Sequence, residues 1–436
     1  MSEKKILWVV WVIIFLASFA FAEEEYKFDL SEIEKKPYHV GGYVEFRPII
    51  FWLDRDAALY ELKFFNRDEG KTIEEYNAKL QVEGSYEKGI ARLFVRTNFD
   101  LQHSYLGWDH NESKRMIYEG YLSLKPSDSL SFKFGKQTLL WGKGYAFNPA
   151  AFVSRAKDPD DPELALEGVI TASADYIKSF SGPLKTLSLT PVIFPVYEHI
   201  NDDFGEINHL NFAGRIYFLF YDTDIDLLFL TGKSRTNRVG IDFSRNITTN
   251  FEVHGEFGFI NNQSKKVIDS QGNISESKFD AKSYLLGIRY LTPWDTTFIF
   301  EYYRNGTGFS QSEIKDYFTF IDKGYDLYLR NGNDSLLKKA TNVTQGNYGR
   351  PNPMKDYLYL RVSQKEPFNI LYFTPAITTI MNLDDRSFQI SPELLYTGFT
   401  NWEFRLKGIA LVGQEGTDFG EKPNDYRIEL RARYFF

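Results

Sequence analysis

Apolar and polar residues alternate along much of this chain. The final segment "RIELRARYFF" places Ile428, Leu430, Ala432, Tyr434 and Phe436 between Arg427, Glu429, Arg431 and Arg433. The same alternation recurs in "ARLFVRTNF" at 91–99 and in "NFEVHGEFGF" at 250–259. A period of two indicates strands whose two faces meet different environments. The pattern therefore predicts an all-β chain of about eighteen strands, with sixteen as the fallback count.

The connections between these strands alternate in length. Short turns include "YDTD" at 221–224, "TPWD" at 292–295 and "GFTN" at 398–401. Between the short turns lie long segments, near 51–73, 101–114, 138–166, 194–208, 260–280 and 304–354. A soluble sandwich gives no reason to sort its loops by side. The sorting is typical of a transmembrane antiparallel β-barrel with short periplasmic turns and long external loops.

The N-terminal residues predict export. Lys4 and Lys5 precede an apolar run, and Ala20-Phe21-Ala22 supplies the small residues that signal peptidase accepts. We therefore expect a signal peptide at 1–22, cleaved before Glu23. A single membrane anchor is the alternative, but the run is short for a span of roughly 20 residues. The expected organisation of the remainder is a short periplasmic segment at 23–38 and the barrel at 39–436.

Composition narrows the class further. The mean hydropathy of −0.36 excludes a helical membrane protein but not a barrel, whose strands need only alternate residues to be apolar. Aromatic residues make up 17% of the chain, which suits two interfacial girdles. The chain has no cysteine, so a closed hydrogen-bonded barrel rather than disulfides would hold the fold. The net charge of −8 argues against a nucleic-acid partner.

Two stretches resemble the porin-like barrels of the Gram-negative outer membrane. Tyr434 and Phe436 match the aromatic last strand that the barrel-insertion machinery reads in those families. The resemblance implies a bacterial outer-membrane location, among lipid and lipopolysaccharide. The G-x-Q-x-x-x-W-G-x-G core at 135–144 resembles a stretch of general porin-like and alginate-export-like proteins.

The resemblance also implies a constriction loop. In general porins the third external loop folds into the lumen and sets carboxylates against a basic wall. If the segment 138–166 is the equivalent loop, four of its residues are candidates for the constriction: Asp158, Asp160, Asp161 and Glu163. The alternatives are an acidic, solvated external loop and a loop that binds calcium through clustered oxygens.

Strand parity predicts a mildly basic lumen wall. The basic candidates are Arg92, Arg96, Arg115, Arg215, Arg361, Arg405, Arg427 and Arg431; the acidic ones include Glu252, Glu256, Asp242 and Glu301. Arginine stays charged, and its planar fork holds carboxylate or phosphate in a bidentate way. Two interpretations apply together: the wall passes anionic or sugar-like solutes, and its charges form internal ion pairs that stabilise the barrel. Tyr357 and Tyr359, beside Arg361, could also form a surface on which sugars stack.

The segment "SQSEIKDYFTFIDKG" predicts a short helix within the long loop 304–354. Ser310 and Glu313 have capping-box spacing, and the apolar residues that follow recur at helical intervals. Gly324 is the predicted stop. Such a helix would cap the barrel mouth or act as a lid.

These features favour a porin-type channel for passive diffusion of small hydrophilic solutes, anionic or sugar-like. The alternative is a plugged outer-membrane barrel acting as a receptor, adhesin or structural protein. An enzyme is not expected, because the chain lacks a G-x-S-x-G nucleophile motif. No cofactor is expected, and without cysteine or an H-x-x-x-H pair no metal site is expected either. Both a monomer and an oligomer remain open.

Overall fold

The computed structural model describes residues 36–104, 107–110, 116–162, 164, 166–344 and 348–436, with the backbone alone at 107–110. It divides into the compact units Met1–Tyr38 and His39–Phe436, and the second holds nearly all the described residues. The predicted signal peptide, with its cleavage site before Glu23, lies outside them.

Eighteen strands close into an antiparallel barrel, and the short strand β4 pairs with the end of β3, beyond the part of β3 that pairs with β5. The strands in chain order are β1 (Tyr38–Leu53), β2 (Thr72–Lys88), β3 (Ala91–Ser104), β4 (Gly107–His110), β5 (Ile117–Ser127), β6 (Leu130–Gln137), β7 (Val169–Ser179), β8 (Leu184–Val196), β9 (His209–Phe220), β10 (Thr223–Thr231), β11 (Arg238–Thr248), β12 (Phe251–Ile268), β13 (Ile274–Leu291), β14 (Thr296–Arg304), β15 (Asp356–Gln364), β16 (Phe373–Asn382), β17 (Phe388–Tyr396), β18 (Trp402–Val412) and β19 (Asn424–Phe435). The predicted fold class and strand number are confirmed.

Closure occurs where the first strand meets the last. Tyr43 lies opposite Phe435, and the antiparallel register continues to Trp52 opposite Tyr426. On its other side β1 pairs with β2. Among the described residues, each of the eighteen barrel strands is therefore paired on both sides, as a barrel surrounded by hydrocarbon requires.

The outer surface of the barrel is apolar, as β13 illustrates. Tyr284, Leu286 and Ile288 point outward and Leu286 is 56% exposed, whereas the alternate residues Ser283 and Leu285 are buried inside. This alternation gives the exterior the character of a lipid-facing surface. Among the described residues, no helix is both long and apolar enough to cross a membrane.

Short turns gather at one end of the barrel and long loops at the other. The long-loop end carries three helices, α1 (Ala58–Phe64), α2 (Gln311–Asn331) and α3 (Ser335–Val343), while a 3-10 turn at Pro367–Asn369 lies in a connection at the short-turn end. We call α1, α2, α3 and the connection 413–423 the cap. Its apolar side chains, including Ile314, Tyr317 and Leu337, join one buried cluster with Phe147, Tyr357 and Phe419.

The helix α2 begins as predicted and ends later. Ser310 N donates to Glu313 Oε2 at 2.7 Å and Glu313 N donates to Ser310 Oγ at 3.4 Å, which completes the capping box. The predicted stop at Gly324 is wrong, because the helix runs on to Asn331 and ends against Gly332, whose φ is 73°. Gly324 is instead a packing position, since a Cβ there would come within 3.2 Å of Leu337 on α3.

One long loop is shorter than predicted. Most of the segment 260–280 extends β12 and β13 as a hairpin, paired from Gln263 opposite Phe279 to Ile268 opposite Ile274. A bulge interrupts the register between Ile260 and Gln263, where Asn262 has a φ of 53°. The two strands therefore extend beyond the segment in which apolar and polar residues alternate along each strand.

Candidate functional site

The connection between β6 and β7, residues 138–168, crosses the interior of the barrel; we call it the inward loop. Glu256 on β12 anchors its first half. This carboxylate accepts hydrogen bonds from the backbone N–H groups of Lys143, Gly144 and Ala150 and from Asn148 Nδ2, at 2.6, 2.6, 3.1 and 3.1 Å. A single carboxylate thus organises four donors of one loop, and ionised acceptors form the stronger class of hydrogen bond.

Glu301 on β14 provides a second anchor. It accepts from the backbone N–H of Tyr145 and, at 2.9 Å, from that of Ala146. His254 Nε2 lies 2.9 Å from Glu301 Oε1, so the imidazole holds this carboxylate in place. Sequence parity placed Glu256 and Glu301 on the inner face, but it did not reveal that both bind the loop.

A lysine of the inward loop occupies an acidic socket. Lys143 Nζ lies 2.9 Å from Asp226 on β10 and 4.0 Å from Asp242 on β11, and these carboxylates are 1% and 0% exposed. Asp226 lies opposite Asp242, which lies opposite Glu256 on the next strand, so the three carboxylates form one row. Buried carboxylates need a compensating cation, and Lys143 supplies one from the loop.

Apolar packing completes the docking of the inward loop. Trp141, Phe152 and Val153 pack against the inner faces of β8 to β10, where the buried residues include Val192, Phe194, Leu228 and Leu230. The sequence analysis missed this apolar patch. Its one signal was the run "LLFL" in β10, which is apolar on both faces and so predicts burial on both.

The acidic part of the inward loop meets the opposite wall. Asp161 lies 2.7 Å from Arg431 and 3.2 Å from Arg405, and Asp160 lies 3.2 Å from Arg427. Burial alone would raise the pKa of Asp161, but the guanidinium groups of Arg431 and Arg405 outweigh it and hold the pKa below its usual value. This carboxylate therefore stays ionised at neutral pH.

The structure thus brings Asp160 and Asp161 to the basic wall. Asp158 caps the turn, because its Oδ1 accepts from Asp160 N at 2.9 Å, and Glu163 lies outside the described residues. A cavity of about 180 Å³ is lined by Asp158 and Asp160 together with Lys422 and Arg427. In the described ranges, no three His, Asp or Glu side chains form an arrangement that could hold a metal ion. Asp160 and Asp161 are paired with side-chain cations rather than set around a calcium position.

Most of the other predicted wall arginines contact carboxylates. Arg96 lies 3.1 Å from Glu83 and 2.9 Å from Glu119, and Arg361 lies 3.0 Å from Glu393. Arg215 lies 3.8 Å from Asp226, and the Arg92 guanidinium lies 5.9 Å from the centroid of the Phe94 ring. Glu252 accepts a hydrogen bond from Ser244 Oγ at 2.8 Å. Arg115 lies outside the described residues. Ion pairing is therefore one property of this wall, and solute selection remains a prediction.

The sequence predicts roles for two pairs of aromatic residues, a sugar-stacking surface at Tyr357 and Tyr359 and an insertion signal at Tyr434 and Phe436. Tyr357 and Tyr359 are each 0% exposed, and Phe147 packs near both, so they offer no surface on which a sugar could stack. Tyr434 contacts Trp402 with ring centroids 5.1 Å apart. Phe436 exchanges backbone hydrogen bonds of 3.1 Å with Gly42 at the closure, and its role in insertion remains a prediction.

No protein-family model matches the chain, and no curated protein matches it in sequence. Among solved structures, OprD of Pseudomonas aeruginosa aligns with 92% of this chain and 97% of its own at 12% identity, with a TM-score of 0.47. A mutant of Rh. blastica porin aligns with 92% of this chain and 100% of its own at 9% identity, with a TM-score of 0.44.

The strand pairing of the chain itself defines the architecture. Eighteen antiparallel strands close on themselves, and the loop after β6 folds inward to contact two opposite walls. This is the closed antiparallel barrel of about eighteen strands that the sequence predicts.

Proposed function

We propose that the chain is an outer-membrane channel for passive diffusion of small hydrophilic solutes, with a modest preference for anions. The observation that carries the proposal is the inward loop, which sets Asp160 and Asp161 against Arg405, Arg427 and Arg431 inside the barrel. Opposed rows of charge across a narrowed lumen create a transverse field that orders dipolar solutes. No step of this function needs catalysis or a cofactor.

The exterior supports the membrane location. Outward residues such as Leu286 and Phe229 are exposed and apolar, as lipid contact requires. On this proposal the short turns face the periplasm, the long loops face outward, and lipid and lipopolysaccharide surround the barrel. Tyr434 and Phe436 then serve as the signal for the insertion machinery, after cleavage of residues 1–22.

The charge of the narrowed region supports a weak anion preference. The inner positions of β18 and β19 carry five cations, Arg405, Lys407, Arg427, Arg431 and Arg433, and two carboxylates, Glu403 and Glu429. The four arginines pair with carboxylates of the loop or of the wall, including Glu45 and Glu393 on the neighbouring strands. Lys407 instead donates to the Asp160 carbonyl at 2.5 Å, and among the described residues its positive charge is the one in excess. At about 0.15 M salt the Debye length is roughly 8 Å, so this excess acts only where the lumen narrows.

Reversal potentials across a salt gradient in planar bilayers test the proposal. The unaltered channel should favour anions modestly, and the preference should weaken as salt rises. Changing both Arg361 and Arg427 to Ser should shift selectivity toward cations. Arg330→Ser is the matched control, because Arg330 is exposed on α2 and pairs with Asp326 outside the barrel wall. Strong cation selectivity of the unaltered protein would contradict the anion preference.

A plugged barrel is the second candidate function, and the cap favours it. The apolar cluster of α1, α2 and α3 continues through Phe419 to Phe147 of the inward loop, so one packed body reaches from the mouth into the barrel. A receptor, adhesin or structural protein would retain such a plug. Folded protein that inserts into bilayers but gives no conductance would select this alternative.

A further inference from the structure

Four guanidinium groups converge at the long-loop end of the barrel. Arg155 belongs to the inward loop, Arg235 to the connection between β10 and β11, Arg238 to the start of β11, and Arg350 to the connection between β14 and β15. We call these residues the arginine cluster. None of its members except Arg155 takes part in the contacts that dock the inward loop.

Several contacts fix the geometry of the cluster. The Arg235 guanidinium lies 3.8 Å from the centroid of the Phe204 ring, and its Nε donates to the Phe204 carbonyl. Arg350 Nη1 donates to Thr307 Oγ1 at 3.3 Å. Arg155 is held by Asp203 at 2.7 Å and by Glu167 at 3.2 Å. The charges are therefore positioned before any ligand arrives, which lowers the entropic cost of binding.

The charge of the cluster is only partly balanced, because Asp203 and Glu167 pair with Arg155 and Asp203 also attracts Arg235. In the part of the chain that the structure describes, no carboxylate comes within ion-pair distance of Arg235, Arg238 or Arg350. The buried Nε of Arg238 has no hydrogen-bond partner in the same residues. Burial and the repulsion from Arg238 and Arg350 lower the pKa of Arg235 to about 9. The wall arginines differ, since Arg96, Arg361 and Arg431 each have a carboxylate.

Arg238 faces the interior of the barrel rather than the lipid. Arg238 lies opposite Leu230 on β10 and Ile260 on β12, which are 2% and 8% exposed. The next residue, Val239, points outward and is 54% exposed. A ligand at Arg238 therefore approaches from the aqueous mouth of the barrel.

We propose that Arg235, Arg238 and Arg350 form a binding site for a small multivalent oxyanion, a phosphate or a di- or tricarboxylate. Planar guanidinium groups bind both classes of oxyanion through paired N–H donors. Such a ligand supplies the negative charge that the described residues lack at this position. As a capture site at the mouth, the cluster rests on the proposed channel function, but binding itself needs no conduction.

Isothermal titration calorimetry of the refolded full chain in detergent tests the site, with inorganic phosphate and citrate as probes at low salt. We expect saturable binding of at least one probe. Arg238→Gln and Arg350→Gln, each as a single substitution, should weaken this binding at least tenfold. Arg330→Gln is the matched control and should bind as the unaltered protein does, since this exposed arginine pairs with Asp326. Heat-modifiable migration in SDS gels shows that each variant is a folded barrel.

The outcomes separate the site from the channel. Arginine-dependent binding without conductance keeps the site and rejects the channel. Conductance without binding of either probe, or binding that Arg238→Gln and Arg350→Gln leave unchanged, rejects the site. Mixed micelles containing a diphosphorylated lipid A provide a further arm. If the lipid binds through these arginines and neither soluble probe does, the assignment to a small solute is wrong.

Discussion

Glu256→Gln should release the first half of the inward loop. In the native protein one carboxylate oxygen, Oε1, accepts from Lys143 N, Gly144 N and Asn148 Nδ2, and the other, Oε2, accepts from Ala150 N. The glutamine side chain can place its carbonyl oxygen where Oε1 of Glu256 lies. Its amide NH₂ then faces the Ala150 N–H, and two donors cannot satisfy each other.

The magnitude follows from these four hydrogen bonds. A bond to a charged acceptor contributes about 1.5–3 kcal/mol and a neutral one about 0.5–1.5 kcal/mol, so three weakened bonds and one lost bond cost about 6 kcal/mol. Removing a buried charge offsets part of that cost. We expect the free energy of local opening to fall by about 2–3 kcal/mol, which is roughly 30- to 150-fold in the opening equilibrium.

Hydrogen exchange of the loop amides measures this opening directly. The amides of residues 143–150 should exchange faster in Glu256→Gln, while those of β12 keep their protection. Glu252→Gln is the control, because Glu252 lies on the same face of β12 and bonds to Ser244 rather than to the loop. Unchanged exchange in Glu256→Gln, or equal acceleration in the control, would refute the anchoring role of this carboxylate.

Three further predictions follow from other contacts. Intact mass of outer-membrane material should show Glu23 as the first residue; retention of residues 1–22 would contradict it. Lys143→Met leaves the buried Asp242 without its cation and should destabilise the docked loop by about 3 kcal/mol, seen as faster proteolysis within 138–168. Burial and nearby carboxylates raise the pKa of Glu61 to about 8, so its stabilisation of the cap is complete below about pH 4.5 and lost as pH rises through 8. Exchange of the α1 amides, corrected for intrinsic rates, should therefore show more protection at pH 5.5 than at pH 9. Glu61→Gln should reduce the difference; the part that remains comes from Asp322, whose pKa burial raises to about 6.

The barrel was predictable because each strand separates an apolar surface from a polar one. In β19, Ile428 and Leu430 face outward while Arg427 and Arg431 face inward, as their alternation requires. The signal disappears where both faces are polar. The hairpin extension of β12 and β13 reads "QSKKV" on one strand and "SESKF" on the other, so periodicity could not distinguish it from a loop.

The candidate site was less predictable because its contacts join distant parts of the chain. Gly144 and Glu256 are separated by 112 residues, and no local pattern around either predicts that they meet. Strand parity could place Glu256 on the inner face, but it could not name its partner. The same holds for Arg238, at the start of β11, and Arg350, in the connection between β14 and β15, which come near each other only in the folded barrel.

The inward loop spans the interior because its two halves carry opposite charges. Lys143 enters the row formed by Asp226 and Asp242, and Asp161 pairs with the guanidinium of Arg431 on the far wall. In the proposed channel, an anion at the far wall must therefore compete with the loop carboxylates for the same arginines. Such competition weakens binding at the constriction and favours transit over retention. The arginine cluster at the mouth has no such competitor for Arg238 among the described residues, so an anion should bind more tightly there than at the narrowest part of the barrel.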